Sequence, residues 1–225
     1  PNTDGFDPDS SRHVLIEDSS YDGGDDCVAI KSGWDCFGIT YGKPSTHVHL
    51  RNLTCWAGQI AIGSEVSGGI EHVSGNQIYF PGQAWHAVKL KTGMSRGGFI
   101  RNITFRNIHV TGNLQSSVLD IDATLYSSSA GKNPSCPENW MPPNPTSIDH
   151  LIFDNWNGMM SNFSGTSTFV LRGISMENPI QNVMLQNLHF PGSLESTPSW
   201  VCENITNVTA LNDTITPWPP CNAVS

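Results

Sequence analysis

The sequence predicts an all-β fold in which short strands coil into a parallel β-helix. A phrase of alternating apolar residues returns along the chain, and an Asn or Asp follows each phrase at the same phase. Gly, Pro and Asn interrupt every stretch that would otherwise form an amphipathic helix. We therefore expect strands and turns throughout and no amphipathic helix.

The returning phrase has apolar residues at positions i and i+2 and Asn or Asp at i+4. Alternation with a period of two is typical of a strand, and its return about every 25 to 50 residues indicates a repeat. The phrases read "HVLIEDS", "HVHLRNL", "NITFRNI", "HLIFDNW" and "NVMLQNL", with their first apolar positions at Val14, Val48, Ile103, Leu151 and Val183.

Most repeats also carry a second, shorter strand, as in "CVAIKSG", "IAIGSE" and "AVKLKTG". Alternation turns one apolar pair of each strand inward. These inward positions are Val28, Ile30, Ile60, Ile62, Val88 and Leu90. The outward positions on the same face are Lys31, Ala61, Lys89 and Lys91. Residues about sixty positions apart would thus become neighbours on one surface.

Two architectures compete for this pattern. An antiparallel sandwich would need tight hairpins every 8 to 12 residues or so. A parallel solenoid would instead stack like residues of successive coils, and stacked Asn side chains can bond along such a ladder. The Asn at one phase favours the solenoid.

Composition indicates one globular domain over residues 1–225 and excludes some partners. Only 14% of the residues are charged and the net charge is −9, so no basic surface for nucleic acid is expected. No apolar run approaches the roughly eighteen residues of a membrane span. We expect a monomer in solution.

Six cysteines show neither a CxxC pair nor a histidine at zinc spacing, so disulfides and an oxidising compartment are the better interpretation. Asn-x-Ser/Thr acceptors support secretion only weakly, because about three or four would arise by chance. They lie at Asn52, Asn102, Asn162, Asn204, Asn207 and Asn212.

The candidate catalytic residues are Asp4, Asp25 and Asp26, which lie in the Gly-flanked turns "NTDG" and "GGDD". Neighbouring carboxylates resist ionising together, so such clusters are often functional. Ordinary Asx turns are the alternative interpretation of each motif alone. A Ca²⁺ site is disfavoured because no further carboxylates follow at a suitable loop spacing, and we expect no metal and no cofactor.

The motifs "NTDG", "GGDDCVAIKSG", "IAIGSEVSGG" and "VKLKTGMSRGGFIRNITFRNI" together resemble glycoside hydrolase family 28, the polygalacturonases and their relatives. The stretch "SGWDCFGITYGKPSTHVHLRNLTC" is closest to the plant branch. The resemblance covers residues 1 to about 221. It implies a right-handed parallel β-helix of the pectin-lyase-like type, and it implies that this chain is the central and C-terminal part of a longer catalytic domain.

The resemblance also implies roles for the acids. Asp25 would be the general acid that protonates the leaving oxygen, while Asp4 and Asp26 would hold and activate the attacking water. An inverting hydrolase of this kind separates its acid and base by roughly 6.5 to 9.5 Å. A nearby negative charge would help to raise the pKa of the acid.

Two departures from the family pattern affect the cleft. Lys89 and Lys91 match an Arg-x-Lys pair that binds the substrate carboxylate in the family. Arg binds a carboxylate through two parallel donors, whereas Lys89 offers only a point charge. The family motif GHG falls on Ala57, Gly58 and Gln59, so Gly58 replaces a cleft histidine. Gln59 is a candidate for hydrogen bonds to sugar hydroxyls.

Further site residues are expected, the cations because an acidic protein needs local positive charge to bind a polyanion and the aromatic residue because of the resemblance. Lys31 and Arg96 would add positive charge to the cleft, and Tyr126 lies near where the family has an aromatic residue for sugar stacking. His86 is the remaining histidine close to a motif, and we interpret it as a surface turn residue.

The resemblance pairs Cys27 with Cys55 and Cys202 with Cys221. It leaves Cys36 and Cys136 open, because each could pair with the other or with another coil.

The expected function is hydrolysis of α-1,4-galacturonosyl bonds of pectin by a secreted cell-wall enzyme. Alternatives are a hydrolase of another uronate polymer of the rhamnogalacturonan type, and a catalytically weak β-helix that binds wall polysaccharide.

Overall fold

The computed structural model describes residues 2–126, 133–159, 167–191, 200–211 and 214–221. They form a right-handed parallel β-helix, which confirms the predicted architecture. The elements in chain order are β1 (Arg12–Tyr21), β2 (Val28–Ile30), α1 (Asp35–Tyr41), β3 (Ser45–Cys55), β4 (Ala57–Ile62), β5 (Ile70–Phe80), β6 (Gln83–Gly93), β7 (Phe99–Val110), β8 (Asn113–Tyr126), β9 (Ser147–Gly158), β10 (Phe169–Arg172), β11 (Ile180–His189), β12 (Trp200–Glu203), β13 (Ile205–Ala210) and β14 (Ile215–Thr216).

Each coil contributes one strand to each of two parallel sheets. The six-stranded sheet has the order β12-β10-β8-β6-β4-β2, and the eight-stranded sheet has the order β1-β3-β5-β7-β9-β11-β13 with β14 beside β11. In the six-stranded sheet Val28 pairs with Ile60 and Ile60 pairs with Val88. The three short motifs are therefore parallel neighbours, as the sequence predicts.

The core consists of inward columns that run along the solenoid axis. One column continues from Val28, Ile60 and Val88 through Leu119 to Phe169, and all five are fully buried. Such columns bury apolar area between each coil and its neighbours, which is the main stabilising term in a solenoid.

The Asn or Asp of each repeated phrase bends its strand. Asp18, Asn52, Asn107 and Asn155 have φ between 50° and 58°, a left-handed conformation that Asn and Asp tolerate well. Asn52 Nδ2 donates to Asp18 Oδ1 at 2.7 Å, and Asn155 donates to Asn107. The predicted ladder therefore exists and makes some of its hydrogen bonds between coils.

A second ladder, which the sequence reasoning missed, runs five residues earlier in each coil. Its members share a positive φ near 55° and are His13, His47, His72, Asn102, His150, Asn182 and Asn207. The rings of His13, His47 and His72 stack, with centroids 5.0 and 4.9 Å apart. We call these three residues the histidine stack.

The strand β5 lacks the returning phrase although it lies in the same sheet as the strands that carry it. Gly75 stands where other coils have an inward apolar side chain, and Gln77 takes the bend position. A β-carbon at Gly75 would lie 2.3 Å from the ring of Phe105, so the large side chain of the next coil fills this space. The total volume of the inward side chains is therefore maintained here, although the alternation of apolar residues is interrupted.

The helix α1 contradicts the expectation that helical segments are absent. Its seven residues include Gly38, and an isolated helix of this length is not stable in water. A β-carbon at Gly38 would lie 2.6 Å from the backbone of Gly33, so glycine allows the helix to lie directly on the preceding chain. Tertiary contacts, not local propensity, therefore form α1.

Three disulfides join Cys27 with Cys55, Cys202 with Cys221, and Cys36 with Cys136. The two expected pairs are confirmed, and the question left open by the sequence is answered for the third. Of the helices in the described ranges, none has the length and apolar character needed to cross a membrane.

Candidate active site

The acidic turns meet at one edge of the six-stranded sheet. The segment that contains Asp4 runs beside β2, where Gly5 N donates to Asp26 O at 2.9 Å and Phe6 pairs with Val28. This pairing places Asp4, from one coil, beside the Asp25–Asp26 turn of the next coil.

Tyr21 fixes the two turns relative to each other. Its hydroxyl donates to Thr3 O at 2.5 Å and accepts from Asp25 N at 3.1 Å. Gly24 N also donates to Thr3 Oγ1 at 2.8 Å. The acids therefore lie on turns that are held by hydrogen bonds between coils, which is a suitable support for a catalytic group.

The three carboxylates form one cluster. One oxygen from each of Asp4, Asp25 and Asp26 lies within 4.8 Å of the other two. This separation is shorter than the roughly 6.5 to 9.5 Å that is typical of an inverting acid and base pair. It is also the only group among the described residues whose His, Cys, Asp or Glu atoms come close enough to hold a metal ion.

Asp26 is the buried member of the cluster, with 2% of its surface exposed. Its Oδ1 accepts from Gln59 Nε2 at 2.8 Å and its Oδ2 accepts from Lys91 Nζ at 3.0 Å. Burial raises the pKa of Asp26, although the charge and hydrogen bond of Lys91 oppose this. The raised pKa thus falls on a residue to which the resemblance gives the role of a water-holding carboxylate.

Each of the three cleft lysines pairs with an acid of the chain. Lys91 pairs with Asp26, and Lys31 Nζ lies 3.5 Å from Asp4 Oδ2 and 3.1 Å from Asp7 Oδ1. Two of the three catalytic candidates therefore already have a cation beside them.

Lys89 belongs to a separate group in the neighbouring coils. Its Nζ donates to Asp120 Oδ2 at 2.8 Å and lies 3.3 Å from His86 Nε2. Burial raises the pKa of Asp120, and the charge of Lys89 opposes this shift. Sequence reasoning did not identify Asp120 as the partner of Lys89.

The order of these groups on one sheet face agrees with a known family. The chain matches the family model described as Glycosyl hydrolases family 28 over residues 1–211. It belongs to this family.

Curated relatives and a solved structure lie in the same group of proteins. The Probable polygalacturonase of Vitis vinifera is 45% identical over 111 residues, which are 48% of this chain and 22% of the relative. Polygalacturonase-2 of Solanum lycopersicum is 24% identical over 216 residues, which are 91% of this chain and 40% of the relative. The hyperthermoactive exopolygalacturonase of Thermotoga maritima superposes with a TM-score of 0.73 at 26% identity, over 93% of this chain and 44% of that one. This family 28 chain spans less than half the length of each.

At Gly58, where a cleft histidine was expected, this family 28 chain has no room for a side chain. Its φ is +74°, and a β-carbon there would lie 2.1 Å from the carbonyl oxygen of Asp25. Any side chain at this position would displace the turn that carries Asp25. The glycine is therefore part of the support of the acid cluster.

His86 contradicts the interpretation as a surface turn residue, because only 6% of its surface is exposed. Its Nδ1 accepts from Ser117 N at 3.3 Å and lies 2.7 Å from Ser117 Oγ, while its Nε2 lies 3.3 Å from Lys89 Nζ. Burial and the charge of Lys89 lower the pKa of His86 to about 3. The register of β6 shifts between Ala84 and His86, and this bulge hides the position of the histidine from period-two reasoning.

The other expected site residues divide into three cases. Gln59 is buried and holds Asp26, so its amide lies behind the acids and not on the open surface. Arg96 is wrong as a cleft cation: it is 2% exposed, and its Nη1 donates to Asp35 Oδ1 at 2.6 Å. Tyr126 ends β8 in register with Gly93, and its side chain lies outside the described part of the structure.

Proposed function

We propose that this protein hydrolyses α-1,4-D-galacturonosyl bonds of pectin or polygalacturonate. The observation that carries the proposal is the cluster of Asp4, Asp25 and Asp26 on a sheet face that also presents Lys89 and Lys91. Carboxylates supply acid and base chemistry for a glycosidic bond, and lysines attract a polyanionic substrate to a protein of net charge −9.

In the proposed mechanism Asp25 protonates the leaving oxygen while Asp4 and Asp26 hold the attacking water. Two hydrogen bonds of about 2.8 Å from one water reach two oxygens about 4.5 Å apart, so a spacing below 4.8 Å suits a shared water. Lys91 and Gln59 act as positioning residues because they fix both oxygens of Asp26.

Lys89 would bind a substrate carboxylate while it keeps its ion pair with Asp120. A lysine ammonium has three donors, and the described contacts with Asp120 and His86 leave one for a ligand. Recognition of uronates by Lys89 is therefore compatible with its ion pair.

We expect Asp25→Asn to lower kcat on polygalacturonate by at least about 10²-fold with little change in KM, since a general acid acts mainly in the transition state. Asp22→Asn is the matched control, because Asp22 is an exposed acid in the same turn. Release of reducing ends measures both. Hydrolysis by Asp25→Asn at the rate of the control would contradict the assignment.

The stereochemistry is tested separately. Single displacement gives products with the inverted anomeric configuration, which proton NMR of the first products reports directly. Retention would mean that a carboxylate of the cluster, and not a water molecule, attacks the anomeric carbon.

A catalytically weak wall-binding protein is the second candidate. The observation that favours it is the pairing of Lys31 and Lys91 with two of the three acids, together with Gly58 in place of a histidine. Equal inactivity of the native protein and Asp25→Asn towards every pectic polymer, with binding retained, would support this candidate.

The proposed setting is the cell wall, reached by secretion, where the protein acts as a monomer. Three disulfides support an oxidising compartment. Peptide mass mapping without reduction tests whether the three disulfides are formed, and the molar mass in solution tests whether the protein is a monomer.

A further inference from the structure

The short helix α1 is anchored to the solenoid far more strongly than its length requires. Asp35, its first residue, is 1% exposed and pairs with the buried Arg96 at 2.6 Å. Asp35 N also donates to Ser67 Oγ at 2.7 Å, and Asp35 Oδ2 accepts from Asn133 N at 2.8 Å. The disulfide of Cys36 adds a covalent link to the same segment. These contacts hold α1 in one position on the surface.

The anchored helix displays three aromatic side chains on one side. Phe37 and Tyr41 are spaced i and i+4 and so share a face of α1, and Trp34, the extended residue just before the helix, lines the same groove. Trp34, Phe37 and Tyr41 are 36%, 55% and 63% exposed. The guanidinium of Arg96 lies 5.6 Å from the ring of Trp34 and helps to fix it. A rigid, exposed aromatic cluster of this kind marks an interaction surface.

This surface is continuous with the edge of the candidate active site. Lys31, which contacts Asp4, forms a backbone β-bridge with Asp9, and Asp9 Oδ1 accepts from Gly33 N at 3.0 Å. Trp34 follows Gly33 directly. A groove of about 360 Å³ begins here, and Asp9, Ser10, Trp34, Phe37, Tyr41 and Asn133 line it. Aromatic faces with a few polar groups are the usual lining of a sugar site.

A second groove of about 360 Å³ adjoins the first and shares Ser10 and Tyr41 with it. Its walls include Arg12, Lys43 and His47 of the histidine stack. In the described part of the chain, no acid lies within ion-pair distance of Arg12 or Lys43. Two such cations stand out in a chain with only 11 Lys and Arg residues.

We propose that Trp34, Phe37, Tyr41, Arg12 and Lys43 form a second binding surface, outside the cleft, for an acidic polysaccharide chain. We call it the aromatic platform. The apolar C–H face of a pyranose ring packs on an aromatic ring, and the two cations meet the carboxylates of a uronate. The choice of a pectic chain as occupant rests on the proposed function, whereas acidity and sugar stacking follow from the platform itself.

The test uses protein carrying Asp25→Asn, so that the polymer stays intact during binding. In this background Phe37→Ala/Tyr41→Ala removes the two most exposed rings, and Trp218→Ala removes a ring that is 43% exposed near the C-terminal end. Isothermal titration with polygalacturonate reports the affinity, and the thermal midpoint shows that each variant is folded. We expect the double variant to bind the polymer about tenfold more weakly or worse, as two lost aromatic contacts imply, and the control to bind like its parent.

A charge variant tests the second half of the platform. Arg12→Gln/Lys43→Gln should weaken binding of polygalacturonate and flatten its dependence on salt, with a smaller effect on methyl-esterified pectin. With active protein, Phe37→Ala/Tyr41→Ala should raise KM for the polymer more than KM for trigalacturonate, because a trimer held in the cleft has fewer sugar rings left to contact the platform.

The outcomes separate this proposal from the proposed function. Normal polymer binding and KM in both double variants would overturn the platform and leave hydrolysis untouched. Loss of polymer binding in a protein that never hydrolyses pectin would support the platform and defeat the proposed function. A change of molar mass in Phe37→Ala/Tyr41→Ala without a change in sugar binding would show that the face joins two copies of the protein, and would overturn the proposal.

Discussion

Lys89 supports the fold, and the proposed function also gives it a role in binding the substrate. It neutralises Asp120, whose pKa burial raises and whose Oδ1 is a buried atom without a hydrogen-bond partner among the described residues. Removing Lys89 alone would leave a buried acid without its cation, which costs stability regardless of substrate. A test of recognition must therefore change both residues.

We expect Lys89→Met/Asp120→Asn to raise KM on polygalacturonate by about 1 to 3 kcal/mol in apparent binding free energy, because a charged hydrogen bond is lost. Lys89→Met keeps most of the packing of the aliphatic stem. The effect should be much smaller on methyl-esterified pectin, whose carboxylates are masked. Steady-state kinetics on both polymers measure the contrast, and equal losses on both would show that Lys89 serves the fold or the acids.

His86 gives a prediction for the dependence of stability on pH. Its pKa is lowered to about 3 in the folded protein, against 6.5 ordinarily. Between pH 3 and 6.5 or so, His86 is protonated in the unfolded chain and neutral in the folded protein. The free energy of unfolding therefore falls as the pH decreases below 6.5, by about 1.4 kcal/mol per pH unit. This loss is absent above pH 6.5, where both states are neutral.

We expect His86→Gln to lose less stability between pH 7 and 5 than the native protein, because glutamine retains hydrogen bonding without titrating. His189→Gln is the control, since His189 is exposed on the eight-stranded sheet. Urea unfolding at the two pH values measures the difference. The same pH dependence in His86→Gln and in the control would mean that His86 is not held neutral by its surroundings.

At the scale of elements, the sequence predicts the strands and bends that repeat from coil to coil, but it does not predict helix α1, which depends on tertiary contacts. The inward columns and the Asn bends follow from period-two alternation, and the structure has them. Helix α1 depends on the buried pair of Asp35 and Arg96, two residues 61 positions apart that carry no local signal. Of the candidate site, the acids and lysines could be read from motifs, whereas Asp120 and His86 required the register of β6 and β8.

The turn at Gly58 gives the prediction at this scale. Gly58→Ala should cost at least about 2 kcal/mol of stability and lower kcat. The alanine would be strained at the positive φ of position 58, and its β-carbon would displace the carbonyl of Asp25. Gly42→Ala is the control: Gly42 also has a positive φ, +57°, but its nearest contact would be Ile39 O at 3.5 Å, so we expect about 1 kcal/mol and normal kcat. Chemical denaturation and the reducing-end assay check both. Similar costs for the two variants would show that φ alone, and not the contact with Asp25, matters.

At the scale of the whole molecule, almost all strand contacts join neighbouring coils. Such a solenoid behaves as a row of units that are coupled only to their neighbours. The bond between Cys36 and Cys136 is an exception, because it joins residues 100 positions apart. It ties α1 to a segment that follows β8, across the coils between them.

We expect Cys36→Ser/Cys136→Ser to increase hydrogen exchange of the α1 amides at least about 30-fold, since a native disulfide commonly contributes 2 kcal/mol or more. The amides of β11 should not change. Cys202→Ser/Cys221→Ser is the control and should affect only the C-terminal coils. Unchanged exchange in α1 would show that its ion pair alone holds it.

The histidine stack has a consequence for how the surface takes up charge. The sheet holds the ring centroids of His13, His47 and His72 at spacings of 5.0 and 4.9 Å, so a positive charge on either outer ring disfavours a proton on His47. Burial and the neighbouring histidines lower the pKa of the central His47. The central ring therefore stays neutral to a lower pH than an isolated exposed histidine would, which limits the positive charge that this edge of the solenoid takes up in acid.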